Sequence, residues 1–193
     1  MPTLDPLLGK TLTLPGFPMA RWHLWRNFQQ EKASQAHILR SLFSTSLRES
    51  FEEMRLVPLD VTFLGPLPLQ ELVLFKRTIF PFVGWVGHQT RYFPNWEVDK
   101  IVRIPVTALF DHNNYARYRI SFRSDTPRMP DMPCFVHRHN SHDELLWGAT
   151  YRITEQFLKT IFGYKPPILD SLPVIHRRLD RHYLEGGASD RSA

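Results

Sequence analysis

From residue 34 to about residue 56, apolar side chains recur at intervals of three and four: Ile38, Leu39, Leu42, Phe43, Leu47, Phe51 and Met54. That period lays them along one stripe of an α-helix. Ser34 is the candidate cap at its start and Pro58 the stop beyond its end. The carboxylates at 49, 52 and 53 fall largely off the stripe, so the helix has one face for a core and another for water or chemistry. A second stripe, with Leu146, Ala149, Ile153, Phe157, Leu158 and Ile161, predicts a helix from about Leu145 to Phe162, closed by Gly163 with Pro166 beyond.

Between the two helices the pattern changes to short β-branched and aromatic runs. Val61–Leu64 ends at Gly65-Pro66, and Leu72–Phe75 and Thr78–Val86 follow, the last limited by Pro81 and Gly84. Ile101–Ile104 is a short candidate bounded by Pro105. Tyr115–Phe122 alternates as a half-buried strand does, and Cys134–Arg138 is a further candidate. Helix, strands, helix predicts an α/β or α+β sandwich, a mixed sheet covered by helices. Residues 1–33 form an atypical N-terminal segment: Pro2, Pro6, Pro15, Gly16 and Pro18 break it up, and Trp22, Leu24, Trp25 and Phe28 fit a helical turn or a strand equally. The main domain is expected over 34–165, and 166–193 is a C-terminal extension whose Gly/Ser/Asp-rich end from Glu185 reads as disordered.

Composition narrows the classes. At 193 residues and 42% hydrophobic, with five Trp and fourteen Phe, the chain can build a sizeable core. A net charge of +5 favours anionic ligands. The basic residues are scattered, and no nucleic-acid recognition module is visible. One cysteine, Cys134, excludes an internal disulfide framework and fits a reducing compartment. No apolar run reaches the roughly 18 residues of a membrane span, and Met1–Ala20 lacks the pattern of a signal peptide. A soluble cytoplasmic protein is the expectation.

The candidate chemistry lies in Arg48-Glu49-Ser50-Phe51-Glu52-Glu53. Carboxylates at i, i+3 and i+4 share a helical face and repel one another unless a cation intervenes. A hard divalent cation such as Mg²⁺ takes oxygen ligands and keeps waters that a phosphate can replace; a solvated acidic face is the plainer alternative. His137, His139 and His142 are spaced for either a transition-metal site or a polar strand end. Trp85, Tyr92, Phe93 and Trp96 suit either core packing or stacking on an adenine ring. The chain has no G-x-S-x-G element, dinucleotide fingerprint or phosphate-binding loop.

Arg48-Glu49, Glu52-Glu53 and Leu56 resemble the end of the Nudix box, R-E-U-x-E-E-x-G-U, where U is bulky and apolar. Leu59–Pro68, Phe80–Trp85, Pro94-Asn95-Trp96-Glu97-Val98 and Leu146–Ile153 follow in the order of the matching segments of coenzyme A pyrophosphatase-like Nudix proteins, so that the likeness covers about residues 45–163. The departures are specific. Ser34 and Arg40 stand where the box has Gly and Glu, Arg55 stands where it has its late Gly, and no F-P-G-G stretch precedes the helix. The front of the Nudix fold is therefore expected to be truncated or rearranged.

The resemblance implies a Nudix-like mixed sheet flanked by helices. It implies hydrolysis of a diphosphate linkage in a nucleoside diphosphate derivative, with a coenzyme A-like compound favoured. Glu49, Glu52 and Glu53 would hold Mg²⁺ or Mn²⁺, Glu52 and Glu97 would be the catalytic pair, and Arg48 would brace the carboxylates. The implied partner is a small nucleotide-type substrate, with neither a specific nucleic acid nor a membrane; many relatives are dimers, so a homodimer is a further expectation. The lost Gly and Glu positions keep a second class in view, a catalytically impaired Nudix-fold protein that binds a ligand or partner.

Overall fold

The computed structural model describes residues 17–72, 77–122, 130–139 and 142–179. Its elements are α+β, with three α-helices and eight strands among those residues. The chain divides into two compact units, 1–102 and 103–193.

In the first unit a 3₁₀ turn at Pro18–Arg21 leads into α1 (Trp25–Glu31), and a single residue, Lys32, separates α1 from α2 (Ala33–Met54). Ser34 is therefore the second residue of α2 and not its cap; the cap position falls to Lys32, which makes no side-chain capping bond. No glycine-rich turn separates the two helices. At 22 residues α2 is about 33 Å long, from a rise of about 1.5 Å per residue. It buries Ala36, Phe43, Ser44 and Leu47, and the Ser44 hydroxyl is satisfied by donating to the Arg40 carbonyl at 2.8 Å. The segment that was ambiguous between turn and strand is helical, and it seals this core: Met19 and Trp25 pack with Phe43, Leu47, Val61 and Phe63. Phe63 is the hub, its ring centroid 4.5 Å from that of Phe43 and 5.1 Å from that of Trp22.

Strand β1 (Val61–Pro66) turns Val61 and Phe63 inward and pairs antiparallel with β4 (Phe82–Val86), from Val61 opposite Val86 to Pro66 opposite Phe82. A bulge lies between Phe63 and Gly65. Space is tight at Gly84, where a Cβ would sit 3.0 Å from the Val61 side chain and force it to shift. Between them β2 (Gln70–Leu72) and β3 (Arg77–Ile79) form a separate antiparallel pair. Ile101–Ile104, a candidate strand by composition, is irregular.

The second unit holds β5 (Tyr115–Phe122), β6 (Met132–His139), β7 (His142–Trp147), α3 (Gly148–Phe162) and β8 (Val174–Leu179). The strand order is β7-β6-β5-β8, antiparallel except for the parallel pair β5–β8, so this sheet is mixed. Successive residues face opposite sides of a strand, and the sheet supports a core on each side. Tyr115 and Phe135 pack with Tyr151 and Leu158 of α3, while Ala116, Tyr118, Cys134 and Val136 form the other cluster. The helix expected from Leu145 begins at Gly148, because Leu145–Trp147 complete a strand paired with Cys134–Val136. Its end is as expected: Gly163 is left-handed at φ 63° and closes the last turn. The tail from Glu185 lies outside the described residues. No described helix is long and apolar enough to cross a membrane.

Candidate active site

All the carboxylates singled out in the sequence lie in the first unit. Glu49, Glu52 and Glu53 sit in the last two turns of α2, and Arg48 organises two of them. Its Nη1 donates to both oxygens of Glu52 at 2.9 Å, and its Nη2 donates to Glu49 at 3.4 Å. Glu53 is half-buried and stands outside that pairing. The side chains of Glu49 and Glu52 are 53% and 54% exposed, which leaves water to screen both ion pairs and the side chains free to turn.

The helix ends at Arg55, which occupies the late-glycine position of the box. It is left-handed at φ 58°, the one non-glycine residue with positive φ among those described. The Arg55 amide donates to the Phe51 carbonyl and the Leu56 amide to the Ser50 carbonyl, which is the closure a glycine would give. The Arg55 guanidinium lies 5.2 Å from the Phe51 ring centroid, a cation–π contact at the surface.

Residues 88–97 are fastened along this helix end by a series of hydrogen bonds. The Gln89 side chain accepts from the Val57 amide at 2.7 Å and donates to the Arg55 and Arg91 carbonyls at 2.8 Å. The Phe93 amide donates to the Met54 carbonyl at 3.0 Å, and the Asn95 amide to the Glu53 carbonyl at 2.7 Å. Asn95 then opens a turn: its Oδ1 accepts from the Glu97 amide at 2.8 Å and its carbonyl accepts from Val98. Glu97 is thus exposed at a turn whose first residue is bonded to the main chain of Glu53, which ties the loop motif to the end of the carboxylate helix.

The start of the loop is held by Asp60, the last residue of a 3₁₀ turn at Pro58–Asp60. Its carboxylate accepts from the Gln89 amide at 2.6 Å and the His88 amide at 2.9 Å, with the His88 Nδ1 at 2.9 Å. Those bonds, that of Gln89 first, hold its carboxyl below the ordinary value of 3.8. A partner 28 residues away leaves no local signal in the sequence.

The other candidates separate. His137 lies on β6 in the second unit, and the Met132–His139 and His142–Trp147 strands pair His139 opposite His142. Among the described residues no group of three or more His, Cys, Asp or Glu is gathered closely enough to hold a metal ion. The box carboxylates nonetheless fit a hard divalent cation in kind. They are oxygen donors on one helical face, and the side chains of two of them, Glu49 and Glu52, are about half exposed to solvent. In this arrangement Glu49 and Glu52 are drawn to Arg48 instead. Of the aromatics, Tyr92 is half-buried, whereas Trp85, Phe93 and Trp96 are exposed.

No protein-family model matches the chain. It is similar to an uncharacterized Nudix hydrolase, NudL, from Pectobacterium atrosepticum, with 32% identity over 119 residues, which are 61% of this chain and 57% of that protein. The chain therefore spans little more than half the length of this relative. Over that stretch the chain is similar to a Nudix hydrolase, and its motifs resemble those of the coenzyme A pyrophosphatase-like branch.

Proposed function

We propose that this protein is a divalent-metal-dependent hydrolase of the diphosphate linkage in a nucleoside diphosphate derivative, with a coenzyme A-like compound as the favoured substrate. The observation that carries the reading is the docking of the Asn95–Glu97 turn on the main chain of Glu53, which joins the two motifs that such a reaction needs. Glu49, Glu52 and Glu53 would hold Mg²⁺ or Mn²⁺, which supplies charge neutralisation at the diphosphate and a more acidic attacking water.

The chain's own residues have distinct tasks. Glu53, outside the Arg48 pairing, is the carboxylate most available to a ligand. Glu52 turns away from Arg48 as the site fills, leaving Arg48 bound to Glu49 or turned toward phosphate oxygen. Glu97 accepts the proton of the water that attacks phosphorus, and the bond from phosphorus to the bridging oxygen breaks. The Asp60 and Gln89 hydrogen bonds position the loop that carries Glu97.

One observation favours a second reading, a Nudix-fold module that binds without catalysis. Arg48 already neutralises Glu52 with two short bonds, so a cation must compete with a guanidinium that belongs to the same helix. The test is hydrolysis of a diphosphate panel (coenzyme A, ADP-ribose, dinucleotides, nucleoside triphosphates) with Mg²⁺ or Mn²⁺, comparing wild type with Glu52→Gln. Turnover that disappears in the variant supports the enzyme. A folded wild type with no turnover on any compound refutes it and leaves the binding module.

A further inference from the structure

We propose that Trp96 is the platform on which this protein stacks the base of its nucleotide ligand, which makes it the residue that distinguishes a base-bearing diphosphate from a bare one. This deepens the function proposed above and rests on it for the position of the diphosphate.

The inference starts from a cost. An indole is among the largest apolar surfaces a side chain offers, and most are substantially buried. Trp96 is 81% exposed, more than any other large hydrophobic residue among those described. Core packing, the ordinary role for such a residue, does not apply. Trp25, by contrast, is 5% exposed in the core of the same unit.

Its placement gives the exposed ring a meaning. Trp96 follows Asn95 directly, and the Asn95 amide is bonded to the Glu53 carbonyl at 2.7 Å. Asn95 also caps the turn from within through the Glu97 amide, and Phe93 is bonded to Met54. Consecutive Cα atoms are about 3.8 Å apart, so the indole is rooted within a residue or two of the main chain that carries Glu52 and Glu53. Its other neighbour in sequence is Glu97. An exposed π-face is thereby rooted next to the main chain of Glu53, on a backbone tied by those hydrogen bonds, so little ordering entropy remains to be lost on binding.

A diphosphate needs only the charged part of such a surface. An exposed indole at its margin suits a ligand with a planar ring attached to the diphosphate, which is a nucleobase. Stacking is tolerant of base identity because every base has a π-face. Trp85 is also exposed, at 66%, but it lies within β4, opposite Thr62, and is not part of the loop clamped to the helix end. It is the internal control.

The experiment is a calorimetric titration of wild type, Trp96→Ala, Trp96→Phe and Trp85→Ala with ADP and with inorganic pyrophosphate, each in the presence of Mg²⁺. Stacking of one base is worth about 1–3 kcal/mol, so Trp96→Ala should weaken ADP binding by about 5- to 150-fold. Pyrophosphate binding should be unchanged, Trp96→Phe should recover most of the loss, and Trp85→Ala should match wild type. Equal ADP affinity in Trp96→Ala and wild type would overturn the proposal. So would an equal loss for ADP and pyrophosphate, which indicates collapse of the loop, or a wild type that binds no ADP. The two readings fail separately: ADP stacking on Trp96 in a protein with no hydrolytic turnover sinks the enzyme alone, whereas turnover with unaltered Trp96→Ala kinetics sinks the platform alone.

Discussion

Arg55 can be interrogated by replacing it with the residue the box expects and with a neutral reference. In Arg55→Gly, the left-handed backbone at φ 58° is no longer opposed by a Cβ, a relief of about 1–2 kcal/mol. Against it stand about 0.5–1 kcal/mol for the greater freedom of glycine in the unfolded chain and about 0.5 kcal/mol for the exposed cation–π contact with Phe51. These terms nearly cancel, so Arg55→Gly should lie close to wild type. Arg55→Ala loses the same contact with Phe51 and keeps the strain. The difference between the two variants therefore isolates the backbone term, and Arg55→Gly should be the more stable by about 0.5–1 kcal/mol. For a chain of this size that is about 1–4 °C in melting temperature. Thermal unfolding of the three proteins side by side is the assay. An Arg55→Ala that melts at or above Arg55→Gly would refute the reasoning, because the helix end would then not depend on a left-handed residue.

Two further outcomes follow from buried or clamped groups. The Asp60 carboxyl is held below its ordinary pKa of 3.8 by the Gln89 and His88 amides. Its contribution to stability is therefore fully present above that value and is lost as pH falls through the lower, folded-state value. The margin by which wild type melts above Asp60→Asn should shrink in acid, and a constant margin from neutral pH down to about pH 2 would contradict this account. The Cys134 thiol is fully buried and its pKa is pushed up to about 11 by burial, so in the folded protein it is almost entirely un-ionised at neutral pH. A thiol reagent such as dithionitrobenzoate should label it only as urea unfolds the chain, and rapid stoichiometric labelling without denaturant would show that the core around it is open.

How much of this was legible depended on whether the partners were local. The apolar stripe from Ile38 to Met54 announced α2 within two residues of its end, since helical periodicity is a short-range signal. The glycine position of the family pattern left two outcomes open at Arg55, a left-handed residue or a longer helix, and the chain takes the first. The Gly163 stop was visible locally, as a glycine at the end of the apolar spacing with Pro166 beyond. Leu145 and Leu146 extended the helical spacing of α3 and hid the fact that they pair with Val136 and Phe135. Val174–Leu179 escaped notice because His176, Arg177 and Arg178 interrupt any alternation and its partner is a parallel strand more than fifty residues earlier. Within the site, the carboxylates and the Asn95–Glu97 turn were readable as motifs. Asp60 and Gln89 were not, because what they bind lies about thirty residues away and is mostly main chain.

The bonds from Phe93 to Met54 and from Asn95 to Glu53 run between peptide groups. Every residue except proline carries the same amide, so these anchors survive exchange of the side chains they hold in place. A mutation at 93 or 96 alters what is displayed while leaving its address intact, and Glu97 inherits its position from a neighbour. The loop is in that sense a fixed mount with interchangeable fittings. A lineage can try new rings or charges beside the carboxylate helix without relearning how to put them there, and related chains can diverge in what they recognise while the ground on which recognition occurs stays the same.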